Sequence, residues 1–227
     1  NELVQFRNQY AIAKNLNYPG IIQTYGLEPY HNGYALIMED FGGISLKDYF
    51  NNLETLNTSS FLTEFLQIAI SFCDVLNILY QQRIIHKDIK PANILINPET
   101  KQVKLIDFSI ASLLNKETQE IKSPNVLEGT LSYFSPEQNG RMNRGIDYRS
   151  DFYSLGVTFY ELLTGKLPFI SDDAMELVHC HIAKQPPELP HPNPLLIKER
   201  GQDKDIFDSP SLGKERGLEI SQVLNDI

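Results

Sequence analysis

Between the apolar pairs Ile84-Ile85 and Ile94-Leu95 lies the polar run His86-Lys87-Asp88-Ile89-Lys90-Pro91-Ala92-Asn93, and Asp107-Phe108-Ser109 begins twelve residues past Leu95. A carboxylate, an amine and an amide at Asp88, Lys90 and Asn93, joined by a second carboxylate at Asp107, make up the inventory that phosphoryl transfer requires. One carboxylate orients a hydroxyl, a cation meets the moving phosphoryl group, and oxygen atoms hold Mg²⁺. Taken singly, Asp88 and Asp107 could each be a turn carboxylate capping local backbone, which is what most lone aspartates do. The elements that would position them are short. Ile84-Ile85 and Ile94-Leu95-Ile96 read as buried strands anchoring a loop, and Val103-Lys104-Leu105-Ile106 reads as a strand that delivers Asp107 at its end.

These residues resemble the catalytic loop and the metal-binding motif of protein kinases. The resemblance continues in order through Gly129-Thr130-Leu131-Ser132-Tyr133-Phe134-Ser135-Pro136-Glu137 and Asp151-Phe152-Tyr153-Ser154-Leu155-Gly156. It covers roughly residues 1–185, and several motifs in family order make chance agreement remote. It implies an α+β, protein-kinase-like fold that uses ATP and Mg²⁺ to phosphorylate a protein substrate. By resemblance, Asp88 orients the substrate hydroxyl and accepts its proton, Lys90 neutralises charge on the γ-phosphate, and Asn93 and Asp107 hold the metal. Met38 would lie at the back of the adenine pocket, Glu39-Asp40-Phe41 would form the hinge, and Leu95 the pocket floor. Thr130 would bridge Asp88 and Lys90, which together with Lys90 itself points to serine/threonine rather than tyrosine specificity. The wording from Ser135 to Asp151 is similar to kinase domains at the front of large bacterial signalling proteins of cyanobacterial type. In those proteins a kinase is joined to an ATPase region and often to a histidine-kinase end.

Three positions depart from the family pattern. Gln9 stands where the family carries a glutamate that pairs with a small-lobe lysine, and a neutral amide makes a weaker bond than an ion pair. Lys87 replaces an arginine and loses its planar fork. Ser109 replaces a glycine and should restrict backbone movement there.

Further along the chain, Leu3, Phe6, Tyr10, Ala13 and Leu16 mark a helical stripe ended by Asn17-Tyr18-Pro19-Gly20. Ala11-Ile12-Ala13-Lys14 imitates the lysine-bearing strand of kinases but lies inside that helix. No G-x-G-x-x-G is present, so a phosphate-covering loop and its lysine are expected upstream of Asn1. Ile21–Tyr25 and Tyr34–Met38 read as strands joined through Asn32-Gly33. Residues 45–52 read as a short helix, Leu62 through Leu79 as a long buried one, Phe152–Leu163 as a fully buried one, and 172–184 as a last amphipathic one. His86 is read as a packing histidine, Asp151 as a backbone acceptor for the catalytic loop. His179-Cys180-His181 cannot converge on one ion, because neighbours on a helix diverge by about 100°.

The chain of 227 residues carries a net charge of −9, which supplies no basic stripe for a nucleic-acid partner. Its composition fits a cytoplasmic protein. The two cysteines, Cys73 and Cys180, are expected to be buried thiols, and no apolar run is expected to approach membrane-spanning length. Together with the resemblance, these features divide the chain into a partial small lobe and hinge (1–41) and a large lobe (42–185). A proline- and charge-rich insertion follows (186–218), containing Leu196-Ile197-Lys198-Glu199-Arg200-Gly201 and its imperfect echo Leu212-Gly213-Lys214-Glu215-Arg216-Gly217, and then a resumed helix (219–227). Other domains of a longer signalling protein would flank it, and the piece alone is expected to be inactive. The rival reading is a catalytically impaired kinase-like module that acts by binding; Gln9, Lys87 and Ser109 favour it, while Asp88, Lys90, Asn93 and Asp107 oppose it.

Overall fold

The computed structural model describes residues 2–53, 58–114, 131–139 and 145–189. The chain opens with helix α1 (Glu2–Ala13). Its stripe buries only the far end: Ala13 and Leu16 are in the core, whereas Leu3 and Phe6, expected on the same inward face, are exposed. A hairpin follows, β1 (Thr24–Tyr30) against β2 (Gly33–Met38), antiparallel with Glu28 opposite Ala35. The strand expected from Ile21 begins later, at Thr24. Ile21 and Ile22 instead add one rung to a different sheet, where Ile22 N–H donates to Leu105 O (3.0 Å) and Leu105 N–H to Gly20 O (2.9 Å). Burial of both isoleucines against the core explains why they leave the hairpin.

That second sheet has the order β3 (Ile44–Ser45), β5 (Ile94–Ile96), β6 (Val103–Leu105), all antiparallel. A third, of two strands, pairs β4 (Ile84–Ile85) with β7 (Ser112–Leu113). The loop from His86 to Asn93 therefore leaves one sheet and enters another, and its last turn is a 3₁₀ helix at Pro91–Asn93. Proline at the first position of that turn fixes φ without sacrificing a needed donor.

Helix α2 (Leu46–Asn51) starts at Ser45, whose hydroxyl accepts the Asp48 N–H. The long α3 (Thr58–Gln81) runs under the sheets and buries Phe65, Ile68, Phe72, Val75, Leu76 and Leu79. Within it, Ser60–Gln81 is 22 residues at a mean hydropathy of 1.5, long and apolar enough to cross a membrane by length and composition, contrary to the expectation from sequence. Its apolarity has a local cause, since these large side chains form the centre of the core with strands β5 and β6. The same helix corrects the view of Cys73, which is exposed; Cys180 is buried. Helical spacing puts residue 73 one step round from the inward-facing Phe72, about 100° away.

Helix α4 (Tyr148–Thr164) is capped by Asp147, whose side chain accepts the Arg149 N–H, and ends on Gly165 at φ 74. It starts four residues earlier than Phe152 and is one-sided rather than wholly buried: Ser150, Asp151, Ser154, Leu155, Val157, Thr158 and Leu162 face inward, while Phe152 is 48% exposed. Helix α5 (Ala174–Ala183) closes a second, smaller apolar cluster of Leu131, Phe134, Phe169, Leu177, Val178 and Cys180. Thr130, residues 115–128, all of 190–218 and the expected helix at 219–227 lie outside the described residues.

Candidate active site

The loop between β4 and β5 folds back on itself around one carboxylate. Asp88 Oδ2 accepts from Lys90 Nζ (2.8 Å) and from Asn93 Nδ2 (2.7 Å), and Asn93 Nδ2 also donates to Asp88 O (2.9 Å). These bonds span two and five residues, so the 3₁₀ turn itself brings the three side chains together. Asp88 Oδ1 is buried and has no partner among the described residues. A buried carboxylate oxygen without a donor is costly and uncommon, and in native structures it often marks a group reserved for a ligand.

Asp107 arrives from the neighbouring strand. Ile106 N–H donates to Asn93 O at 2.9 Å, which locks the start of the Asp107 segment to the end of the Asp88 loop. Asp107 has φ 65, an unusual conformation for a residue with a Cβ, and its Oδ1 accepts the Ser109 N–H (3.1 Å). Ser109 is not among the residues with positive φ, so the expected restriction at this position does not distort the conformation seen here. Lys87, by contrast, has φ 70. Asn93 Oδ1 accepts no hydrogen bond among the described residues, and neither does Asp107 Oδ2. Two oxygens of the hard type that Mg²⁺ prefers are therefore available on adjoining segments. No group of three or more His, Cys, Asp or Glu side chains among the described residues could hold a metal. A cation at Asn93 and Asp107 would complete its shell with oxygens from outside the chain, as Mg²⁺ does with phosphates and water.

Beneath the loop, His86 is fully buried. Its Nδ1 accepts the Asp88 N–H (3.3 Å), which leaves Nε2 to donate to Ile106 O (3.1 Å), and its ring meets Phe108 edge-on at 4.9 Å. Burial holds its pKa below the ordinary value, against the pull of nearby carboxylates, so the ring is a neutral spacer. Asp151 Oδ2 and Oδ1 accept the N–H groups of His86 and Lys87, each at 2.8 Å. Burial pushes the Asp151 carboxyl up, opposed by His86 and those two donors. On the other side, Gln138 Nε2 donates to Lys87 O (2.9 Å) while Gln138 Oε1 receives Ser135 N–H and Oγ–H. Glu137, for which no partner is evident in the sequence, accepts from Ser150 Oγ at 2.6 Å.

The expected hinge has an unforeseen partner. Lys104 of β6 reaches Glu39 Oε1 and Oε2 (2.6 and 2.7 Å), and its ammonium lies 5.0 Å from the centre of the Phe41 ring. The Lys104 hydrogen bond holds the Glu39 carboxyl below the usual carboxylate range. The Glu39 carboxylate also accepts Gln23 N–H (3.1 Å), Glu39 N–H donates to Gln23 O (2.9 Å) and Phe41 O accepts from Asn97 Nδ2 (3.4 Å), so the backbone groups left for a ligand are Glu39 O and Phe41 N–H. Met38 is 40% exposed at the end of β2, and Leu95 is half-buried between the buried Ile94 and Ile96, on the opposite face of β5. Gln9 Nε2 lies 3.9 Å from Met38 Sδ. Its neighbour Asn8, which belongs to no motif in the sequence, donates to three carbonyls following Asp107. Nothing in the spacing around Asn8 or Lys104 signals these contacts, since each joins residues more than 60 apart.

Residues 1–204 match the family described as the protein kinase domain. The chain is similar to the serine/threonine-protein kinase PknB of Mycobacterium leprae (strain TN), with 34% identity over 192 residues, 81% of this chain and 29% of that protein. It is also similar to the serine/threonine-protein kinase PrkC of Bacillus subtilis (strain 168), with 34% identity over 197 residues, 86% of this chain and 29% of that protein. A probable serine/threonine-protein kinase PknB of Lactococcus lactis subsp. lactis (strain IL1403) is 30% identical over 227 residues, covering 97% of this chain and 34% of that protein. The chain spans about a third or less of the length of these curated relatives. With a family match over most of its length and a carboxylate–amine–amide loop beside a second carboxylate, the chain belongs to the protein kinase domain family.

Proposed function

We propose that this chain is the catalytic part of an ATP- and Mg²⁺-dependent serine/threonine protein kinase. The observation that carries the reading is the Asp88 carboxylate, one oxygen pinned by Lys90 and Asn93 and the other buried without a donor. A substrate hydroxyl is the donor that would fill this vacancy in hydrogen bonding. Asp88 orients it and accepts its proton as the hydroxyl oxygen bonds to the γ-phosphorus and the bond from that phosphorus to the departing ADP oxygen breaks. Lys90, already held at the carboxylate, places a positive charge where the transferred phosphoryl group gathers negative charge. Asn93 and Asp107 are the residues that would hold Mg²⁺, which neutralises phosphate charge when bound. The backbone of Glu39 and Phe41 would meet adenine, with Met38 and Leu95 lining its pocket, and Thr130 would bridge Asp88 and Lys90. Catalysis in this scheme is positioning and electrostatics, with no covalent intermediate.

Within this reading, residues 1–41 are the end of a small lobe with its hinge and 42–185 the large lobe, with an insertion at 186–218 before the large lobe resumes. The substrate is a protein, the location cytoplasmic, where ATP is at hand, and further domains of a larger signalling protein adjoin the kinase. The wording of residues 135–151 supports the cyanobacterial-type multidomain architecture. One observation favours the alternative of a binding module: α1 offers the Gln9 amide, resting near Met38 Sδ, where the ion pair to an ATP-binding lysine would need a carboxylate. The test is Asp88→Asn in the full-length protein. Phosphoryl transfer is expected to fall by about 10²-fold or more, with nucleotide affinity retained. Transfer at the wild-type rate would refute the assignment, and an inactive wild type that still binds its partners would favour the module.

A further inference from the structure

Asn8 lies on α1, 100 residues from Phe108 in sequence, yet its Nδ2 is 3.3 Å from Phe108 O, 2.9 Å from Ser109 O and 2.9 Å from Ala111 O. Three carbonyl oxygens aimed at one point repel one another unless a positive group stands between them. The two amide hydrogens of Asn8 supply it. The segment so held begins with Asp107 at φ 65, a backbone state that a residue with a Cβ adopts only when the surroundings impose it. Asp107 Oδ1 is tied in turn to Ser109 N–H, inside the turn whose carbonyls Asn8 gathers. The direction of the Asp107 carboxylate is therefore set by a turn, and the turn by an amide on a distant helix. Gln9, the next residue, points elsewhere, to Met38.

We propose that Asn8 is a positioning residue for the metal: it links the placement of α1 to the direction in which Asp107 presents its free oxygen. This rests on the reading of Asp107 as a Mg²⁺ ligand. A neutral donor does this without a buried charge, so α1 governs the metal site despite the missing carboxylate at Gln9.

The test compares wild type, Asn8→Ala and Asn8→Asp in the full-length protein. Mg²⁺ is titrated against a fixed concentration of a non-hydrolysable ATP analogue, binding is read by calorimetry, and melting temperatures are recorded in parallel. Alanine is the better helix former and aspartate has nearly the same shape as asparagine, so both variants keep α1. The Mg²⁺ concentration for half-maximal binding is expected to rise about tenfold or more, most in Asn8→Asp, with metal-free nucleotide affinity unchanged. An unchanged Mg²⁺ requirement in both variants, with or without a lower melting temperature, overturns the role of Asn8 and leaves the kinase reading intact. A wild type that binds no Mg²⁺–nucleotide overturns both.

Discussion

Buried polar atoms among the described residues divide into those without a partner and those that complete a structural bond, and His181 carries one of each. It sits on α5, 5% exposed, with Phe169 edge-on at 5.2 Å. Its Nδ1 lies 2.8 Å from the Tyr153 hydroxyl, whose pKa burial pushes up to about 12, so the phenol stays protonated and donates. The remaining ring proton is then on Nε2, which is buried without a partner among the described residues. Burial holds the His181 pKa below its ordinary 6.5. As pH falls past 6.5 the unfolded chain takes up a proton before the folded one does, so the stability lent by the neutral ring is full above that pH and drains away below it. His181→Gln keeps an acceptor for Tyr153 and removes the titration. Its urea-unfolding free energy, measured from pH 7.5 down to about 5, is expected to fall less steeply than that of wild type. Parallel slopes would contradict it. Asp151 shows the same division from the other side: a buried carboxylate spent wholly on two backbone N–H groups.

Among the elements, the edge of β6 approaches α3 closely at Gly20. Gly20 adds its rung to β6 directly over Val75, and a Cβ built there would lie 2.3 Å from Val75 Cγ2. Val75 is β-branched, nearly buried and stiff, so it cannot swing aside within α3. Gly20→Ala should force α3 and the Gly20–Ile22 rung apart and cost about 1–3 kcal/mol, read as a lowered melting temperature. Pairing it with Val75→Ala should recover part of the loss, because the second change vacates the contested space. The same rung carries Ile21 and Ile22 into the core and thereby attaches the β1–β2 hairpin to the strand that delivers Asp107.

Across the whole molecule, the described residues form two apolar clusters rather than one. The larger is built on α3 and the β3-β5-β6 sheet and supports Asp88, Asn93 and Asp107 from below. The smaller joins residues 131–134 to Phe169 and α5. Polar contacts stitch the two together: Gln138 to Lys87 O, Ser150 to Glu137, and Ser154 Oγ to Tyr133 O at 2.7 Å. Such an arrangement lets one part loosen before the other. Leu177→Ala opens a cavity in the smaller cluster and should cost about 3 kcal/mol. Amide exchange is expected to quicken in residues 131–139 and α5 while the centre of α3 stays protected. Uniform loss of protection would show a single cooperative core instead.

What the sequence alone determined is what short-range geometry determines. Asp88, Lys90 and Asn93 are close because five residues and a proline-initiated turn leave them little choice, and the apolar runs around them could be seen as strands from their composition. The helices α3, α4 and α5 are legible from their period, though the apolarity of α4 reads as full burial where the structure buries one face only. Tertiary structure decided the rest. Asn8 meets carbonyls more than 100 residues away, Lys104 meets Glu39 across 65, and Gln138 meets Lys87 across 51. Exposure of Cys73, Leu3 and Phe6 depends on how helices are rotated against their neighbours. Contacts of this kind carry no periodic or local signature, because many residue pairs could satisfy the same hydrogen-bonding and burial needs. Only the packing of whole elements selects which do.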